Sequence, residues 1–274
     1  MTEETLRDQS PAALKTAIHS NLFTALQAWQ YVNTADYYED EFLTRWLGGV
    51  PHPWFNGVLS GPLPADQAEE IVSETLTYFR RNKIPSFTWW PTVGTEPAEL
   101  APHLEAQGLA LNEGPPAMAA DLASLTKTVR VPPGLRISQA QNEEALDDFT
   151  MVMMTAFAIP AAWQRPLLAL MSAVDEANIM RHYLAYLDGK AVGSASLLLA
   201  NGVAGIYNVA TRPELRRRGI GAAITLAPLQ VARRLGYEVG VLQSSDMAIG
   251  VYEKLGFRHY GHIAHFYWPA KPGS

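Results

Sequence analysis

Three consecutive arginines, Arg216-Arg217-Arg218, run straight into Gly219-Ile220-Gly221-Ala222 and then into a segment with helical patterning. That order of residue types suits a phosphate. A glycine turn that opens a helix leaves backbone N–H groups at the positive end of the helix dipole. Glycine admits close approach of the ligand, and guanidinium groups add charge-assisted hydrogen bonds. The apolar stretch before the turn ends in Val209-Ala210-Thr211 and reads as a strand feeding it. Two common cradles are excluded. No lysine follows the glycines as a nucleoside-triphosphate loop requires, and Ile224 stands where a dinucleotide fold needs its third glycine.

A second set follows in Ser245-Asp-Met-Ala248-Ile-Gly-Val-Tyr252-Glu-Lys-Leu-Gly256-Phe257, where Tyr252 offers a phenolic proton. Together, Arg216-x-x-Gly219-x-Gly221 and this second stretch resemble the two signatures of the GNAT acetyltransferase superfamily, with Ser245 in place of the family's asparagine. The resemblance covers residues 132–268. It implies that the backbone of Val209, Ala210 and Thr211 pairs with the pantetheine arm of acetyl-CoA. It also implies that Arg216, Arg217, Arg218, Gly219, Ile220, Gly221 and Ala222 hold the pyrophosphate of CoA, with Ser245 beside the arm. Tyr252 matches the family's usual acid for the leaving thiolate; packing against Phe257 is its other reading. The implied reaction is direct acetyl transfer in a ternary complex to a small-molecule or peptide amine. A non-catalytic acyl-CoA-binding sensor or partner-binding module is the alternative. Many family members place a carboxylate base near the strand that feeds the turn, but Val203 to Thr211 contains none. His182, Glu176 and a water chain stay open for that role. Phe157, Trp163 and Trp89-Trp90 are candidate walls for an apolar acceptor.

The elements that must position these residues are readable from periodicity. Helices are expected from Ser10-Pro11 to about residue 31, over 65–82, over 96–107, from Asn142 or Glu143 to about Phe157, and over 163–174. Asp188-Gly189 and Asn201-Gly202 separate three apolar runs, which predicts an antiparallel meander whose third strand feeds the turn. A helix then runs from Gly221 to Gly236, with Pro228 predicting a kink. A strand over 237–243, a short helix over 246–255 and closing strands over 258–268 complete an α/β fold of the α+β kind. This order looks like the GNAT fold: a mixed sheet with an antiparallel meander, flanked by helices.

Val131-Pro-Pro-Gly134 is the expected boundary between an N-terminal α/β domain, residues 1–131, and the GNAT-like domain, residues 132–274. The first half echoes the second. Phe55-Asn56 answers Tyr207-Asn208, the 65–82 helix answers 221–236, and Gly108-Leu109 answers Gly256-Phe257. A diverged tandem duplication is one reading and an unrelated α/β domain the other. Ser60-Gly-Pro-Leu-Pro64 holds the place of the arginine-glycine turn but has no cation, so no cofactor is expected there.

Charge is uneven. Residues 1–131 carry 8 Lys/Arg against 16 Asp/Glu, and residues 132–274 carry 13 against 11. Positive charge concentrated at one turn of an acidic chain suits a small polyanion and disfavours nucleic acid. The acidic opening residues lack an apolar core, and no apolar run is long enough for a bilayer, so a cytoplasmic protein without membrane association is expected. The absence of cysteine excludes a thiol-bound acyl intermediate and thiolate metal sites. His259, His262 and His265 resemble a metal set, but alternation along one strand would turn His262 away from the other two, so no metal is expected. Nothing in the sequence sets the oligomeric state.

Overall fold

A computed structural model describes residues 4–269. The first three residues, part of the opening stretch read above, and residues 270–274 lie outside it. Helix α1 (Pro11–Leu26) begins where the Ser10 hydroxyl accepts from the Ala13 N–H at 3.3 Å, with Pro11 in the first turn. Strands β1 (Asp36–Glu39) and β2 (Leu43–Leu47) form a hairpin. The turn is held by the Asp40 carboxylate, which accepts from the Phe42 and Leu43 N–H groups at 2.8 Å each. Then follow β3 (Asn56–Ser60), α2 (Ala68–Arg81), β4 (Phe87–Pro91), α3 (Pro97–Glu105), β5 (Ala110–Asn112) and β6 (Pro116–Asp121). The second half holds β7 (Arg136–Gln139), α4 (Glu143–Phe157), α5 (Gln164–Glu176), β8 (Met180–Leu187), β9 (Lys190–Ala200) and β10 (Val203–Thr211). It ends with α6 (Ile220–Arg234), β11 (Val239–Gln243), α7 (Ile249–Leu255), β12 (Arg258–His262) and β13 (His265–Trp268).

The strands form two sheets of matching plan. One has the order β1-β2-β3-β4-β13-β5 and the other β7-β8-β9-β10-β11-β6-β12. In each, an antiparallel meander meets one parallel neighbour, β3 with β4 and β10 with β11. An antiparallel strand from the other half of the chain comes next: β13 in the first sheet and β6 in the second.

A single cut at residue 131 therefore does not separate the compact units. One unit comprises Met1–Tyr31 with Pro116–Gly261, and the other Val32–Pro115 with His262–Ser274. Helix α1, read from sequence as part of the N-terminal domain, belongs to the unit that holds the arginine-glycine turn. The closing stretch read as 258–268 is two strands in different sheets. His259 and His262 therefore lie on β12 and His265 on β13, and alternation along one strand is not what arranges them. His262 instead pairs with the Glu113 carboxylate at 2.8 Å.

Within the larger unit, the sheet and α6 bury a core that includes Met118, Leu122, Leu197, Ile224, Leu229 and Phe257. Helix α1 is fixed by the Asn21 side-chain amide. Its Nδ2 donates to the Ala200 carbonyl at 2.9 Å, and its Oδ1 accepts from the Tyr207 hydroxyl at 2.7 Å. Helix α6 continues through Pro228, whose ring is buried. The smaller unit has its own core around Val72, Leu76, Phe79, Phe87, Trp89 and Phe266, with Phe79 and Phe87 stacked at 3.8 Å.

Candidate functional site

The site is made where two parallel strands part. β10 and β11 pair only from Ala204 opposite Gly240 to Ile206 opposite Leu242. Beyond that point β10 stays on β9 after a bulge: Tyr207 faces Ser196, but Ala210 faces Ser194, so Asn208 and Val209 share one partner position. The gap on the β11 side opens into a groove of about 400 Å³. Val209, Ala210 and Thr211 line it along β10, and Ser245, Ala248 and Tyr252 line it across from them.

The arginine-glycine turn closes one end. Arg217 takes a left-handed conformation at φ +63°, as does Gly219 at φ +83°. The first intrahelical bond of α6 runs from the Ala223 N–H to the Gly219 carbonyl at 3.0 Å. The N–H groups of Gly219, Ile220, Gly221 and Ala222 therefore precede the helical ladder, at the positive end of the helix. The two glycines are required for different reasons. A Cβ on Gly219 would sit 2.0 Å from the Arg130 carbonyl oxygen in a conformation that disfavours side chains. A Cβ on Gly221 would meet only the Thr211 hydroxyl, at an ordinary 3.5 Å, so the chain leaves space there.

The arginines divide. Arg217 lines the groove. Arg216 also lines it, but its guanidinium donates to the Ala156 carbonyl at 2.7 Å and to the Thr211 carbonyl at 3.4 Å, bracing the end of α4 against the turn. Arg218 is exposed and is not among the lining residues. Ser245 is exposed and on the groove wall, and its carbonyl accepts from the Ala248 N–H at 2.9 Å.

Tyr252 lies on α7, 7% exposed, and packs edge-on to Phe257 with ring centroids 5.9 Å apart. Both readings of this residue thus meet in one place, since the same ring lines the groove. Burial pushes its pKa up to about 12, against a hydrogen bond with Thr225 that lowers it. The phenol is held neutral, with its proton in place.

The candidate bases are elsewhere. His182 is fully buried, with Nδ1 2.8 Å from the Ser196 hydroxyl and Nε2 3.1 Å from the Met171 carbonyl. Burial lowers its pKa to about 4, so the ring is neutral, but it does not line the groove. Glu176 is exposed at the end of α5 and does not line it either. Among the described lining residues there is no carboxylate and no imidazole. Of the suggested acceptor walls, Phe157 is on the groove and 43% exposed, Trp163 is not on it, and Trp89 and Trp90 belong to the other unit. Sequence reasoning missed Val129, Met247, Val251 and Lys254 on the lining. The Ala248-x-x-x-Tyr252 spacing could have pointed to Val251 and Lys254, which share its helical segment. Nothing local marks Val129, whose place is set by the Arg130 carbonyl packing on Gly219.

In the smaller unit the corresponding strands do not part. β3 and β4 stay paired through Ser60 opposite Pro91, the Thr92 N–H extends the ladder to the Ser60 carbonyl at 2.8 Å, and the Trp89 indole donates to the Ser60 hydroxyl at 2.7 Å.

Residues 142–257 match the model of the acetyltransferase (GNAT) family. A glucosamine 6-phosphate N-acetyltransferase of Trypanosoma brucei brucei is 35% identical over 77 residues, covering 26% of this chain and 52% of that protein. The match thus spans about half the length of that relative. Among solved structures, a GCN5-related N-acetyltransferase from Kribbella flavida aligns with a TM-score of 0.65 at 18% identity, over 90% of this chain and 93% of that one. A tandem GNAT protein from the clavulanic acid biosynthesis pathway aligns with a TM-score of 0.61 at 14% identity, over 98% of each chain. At these identities the structural likeness concerns the fold.

Proposed function

We propose that the protein transfers an acetyl group from acetyl-CoA to an amine, because residues 142–257 match the model of the acetyltransferase (GNAT) family and the fold resembles that of tandem GNAT proteins. The observation that carries this reading is the parting of β10 and β11 beside the open space at Gly221. A linear acyl-pantetheine chain fits a groove with unpaired strand backbone along one side. A pyrophosphate fits the N–H groups of Gly219 to Ala222, where a side chain at residue 221 would otherwise stand. In this reading Val209, Ala210 and Thr211 hold the arm through their backbone, with Ser245 opposite. Ile220, Gly221 and Ala222 present N–H groups to phosphate, and Arg217 adds charge. Arg216 acts mainly as a brace, and Arg218 contributes long-range attraction from the surface.

The reaction forms a C–N bond and breaks the thioester C–S bond. The amine nitrogen gives up one proton, and the leaving sulfur gains one. Tyr252 is positioned to supply the latter, and its buried phenol keeps that proton at neutral pH. The acceptor is a small-molecule or peptide amine entering past Phe157, and its own proton leaves through solvent, since no lining side chain among the described residues is a carboxylate or an imidazole. That lack favours a second reading, a module that binds acyl-CoA without turnover. The closed β3–β4 pairing of the smaller unit supports one cofactor per chain, bound by the larger unit.

Among the described residues no helix is long and apolar enough to cross a membrane. The uneven charge supports a small anionic ligand in preference to nucleic acid.

Calorimetric titration with CoA, followed by thiol release from acetyl-CoA across a panel of primary amines, tests the proposal. One site per chain and turnover with at least one amine are expected. Binding without turnover would favour the sensor reading, and absence of binding would overturn both.

A further inference from the structure

The bulge that opens the groove is held from behind by a chain of buried polar groups. Asn208, the bulged residue, has φ +54°. Its carbonyl accepts from the Ser194 hydroxyl at 3.0 Å, and its Nδ2 donates to the Ser196 hydroxyl oxygen at 3.0 Å. Ser196 lies 2.8 Å from His182 Nδ1, and His182 Nε2 lies 3.1 Å from the Met171 carbonyl. Ser194, Ser196 and His182 are all fully buried.

Only one arrangement of protons satisfies this chain. The Met171 carbonyl can only accept, so Nε2 carries the hydrogen and Nδ1 is the acceptor. Ser196 must then donate to Nδ1, which leaves its oxygen lone pairs turned to the Asn208 amide. Buried hydrogen bonds of this kind are costly to leave unmade, so each member fixes the next. The chain crosses from α5 through β8 and β9 to β10, and ends on Asn208, the bulged residue of the β9 ladder, two positions past the last pair of β10 with β11 at Ile206.

We infer that His182 is a positioning residue: through Ser196 it fixes Asn208, and so the bulge that parts β10 from β11 and lays Val209 to Thr211 along the groove. Its importance for the groove rests on the cofactor reading given above; its control of the bulge does not.

Two readouts are needed, CoA affinity by titration and amide hydrogen exchange over residues 206–211, both taken well below each variant's melting temperature. Ser196→Ala removes the middle of the chain with little change of volume. His182→Leu removes the acceptor, and His182→Asn restores one at the Nδ1 position. Loss of one buried hydrogen bond predicts CoA binding weaker by about tenfold in Ser196→Ala and His182→Leu. Exchange at Val209 to Thr211 should accelerate by a similar factor, and His182→Asn should recover most of both. Folded variants with unchanged affinity and exchange, or an asparagine no better than leucine, would overturn the inference. Should His182→Leu not fold, Ser196→Ala decides the matter alone. If the wild-type protein binds no CoA, the cofactor reading falls, and the exchange data still establish or refute the control of the bulge.

Discussion

Tyr252 combines a packing role with a place on the groove wall, and the two can be separated by removing one atom. Tyr252→Phe keeps the ring against Phe257 and deletes the donor. If the phenol protonates the leaving sulfur, kcat should fall by roughly 10²–10⁴-fold, as for other positioned acids. CoA affinity should hardly change, because the interaction develops with charge on sulfur in the transition state. The pH profile gives a second reading. Burial places the phenol at about 12, so the acid form is present throughout the neutral range and is lost only as pH rises through that value. Any alkaline limb seen well below pH 12 should therefore survive in Tyr252→Phe. Steady-state rates of both proteins from pH 6 to 10 check this; a rate close to wild type would assign Tyr252 to packing alone.

At the scale of elements, the α6 entry turn depends on two glycines doing different jobs. Gly219→Ala puts a side chain into left-handed backbone, which costs about 1–2 kcal/mol. Its Cβ also meets the Arg130 carbonyl at 2.0 Å, so the strand-to-helix turn or the linker must move as well. The melting temperature should drop by several degrees, at about 2–4 °C per kcal/mol for a unit of this size. Gly221→Val meets no such barrier, since its Cβ finds only Thr211 at 3.5 Å. It should melt near wild type and yet bind CoA at least about tenfold more weakly, a loss of about 1.4 kcal/mol. Thermal melts and titrations of the two variants side by side test whether fold and ligand are divided between these positions as the geometry implies.

For the molecule as a whole, the exchange of strands governs what can be cut. A chain of residues 132–274 lacks α1 and β6. Without β6, Val239 to Gln243 lose the antiparallel ladder to Asp121 through Ala117, and the core loses Met118 and Leu122. An exposed central strand edge of this kind promotes aggregation. Residues 132–274 expressed alone should therefore be insoluble or lack a cooperative melt, and co-expression with residues 1–131 should yield a soluble complex. Size-exclusion chromatography and melting curves decide it. A folded, monomeric 132–274 fragment with full CoA affinity would show that β6 is dispensable.

Local chemistry was legible without a structure. The turns at Asp188-Gly189 and Asn201-Gly202 carry positive φ at all four residues, as the residue types require. The caps at Ser10 and Asn142 accept from the N–H groups three residues on. Each of these depends on residues within a few positions of one another, where side-chain type limits the backbone to few conformations. What the sequence did not determine depends on partners far along the chain. Arg216 turns to a carbonyl 60 residues away, and Asn21 docks α1 on a carbonyl 179 residues away. The exchange of β6 and β13 is of the same kind. An apolar strand can pair with any sheet edge of suitable direction and register, and its own residues do not say which. That choice is made by the burial of the whole core, and only the tertiary structure records it.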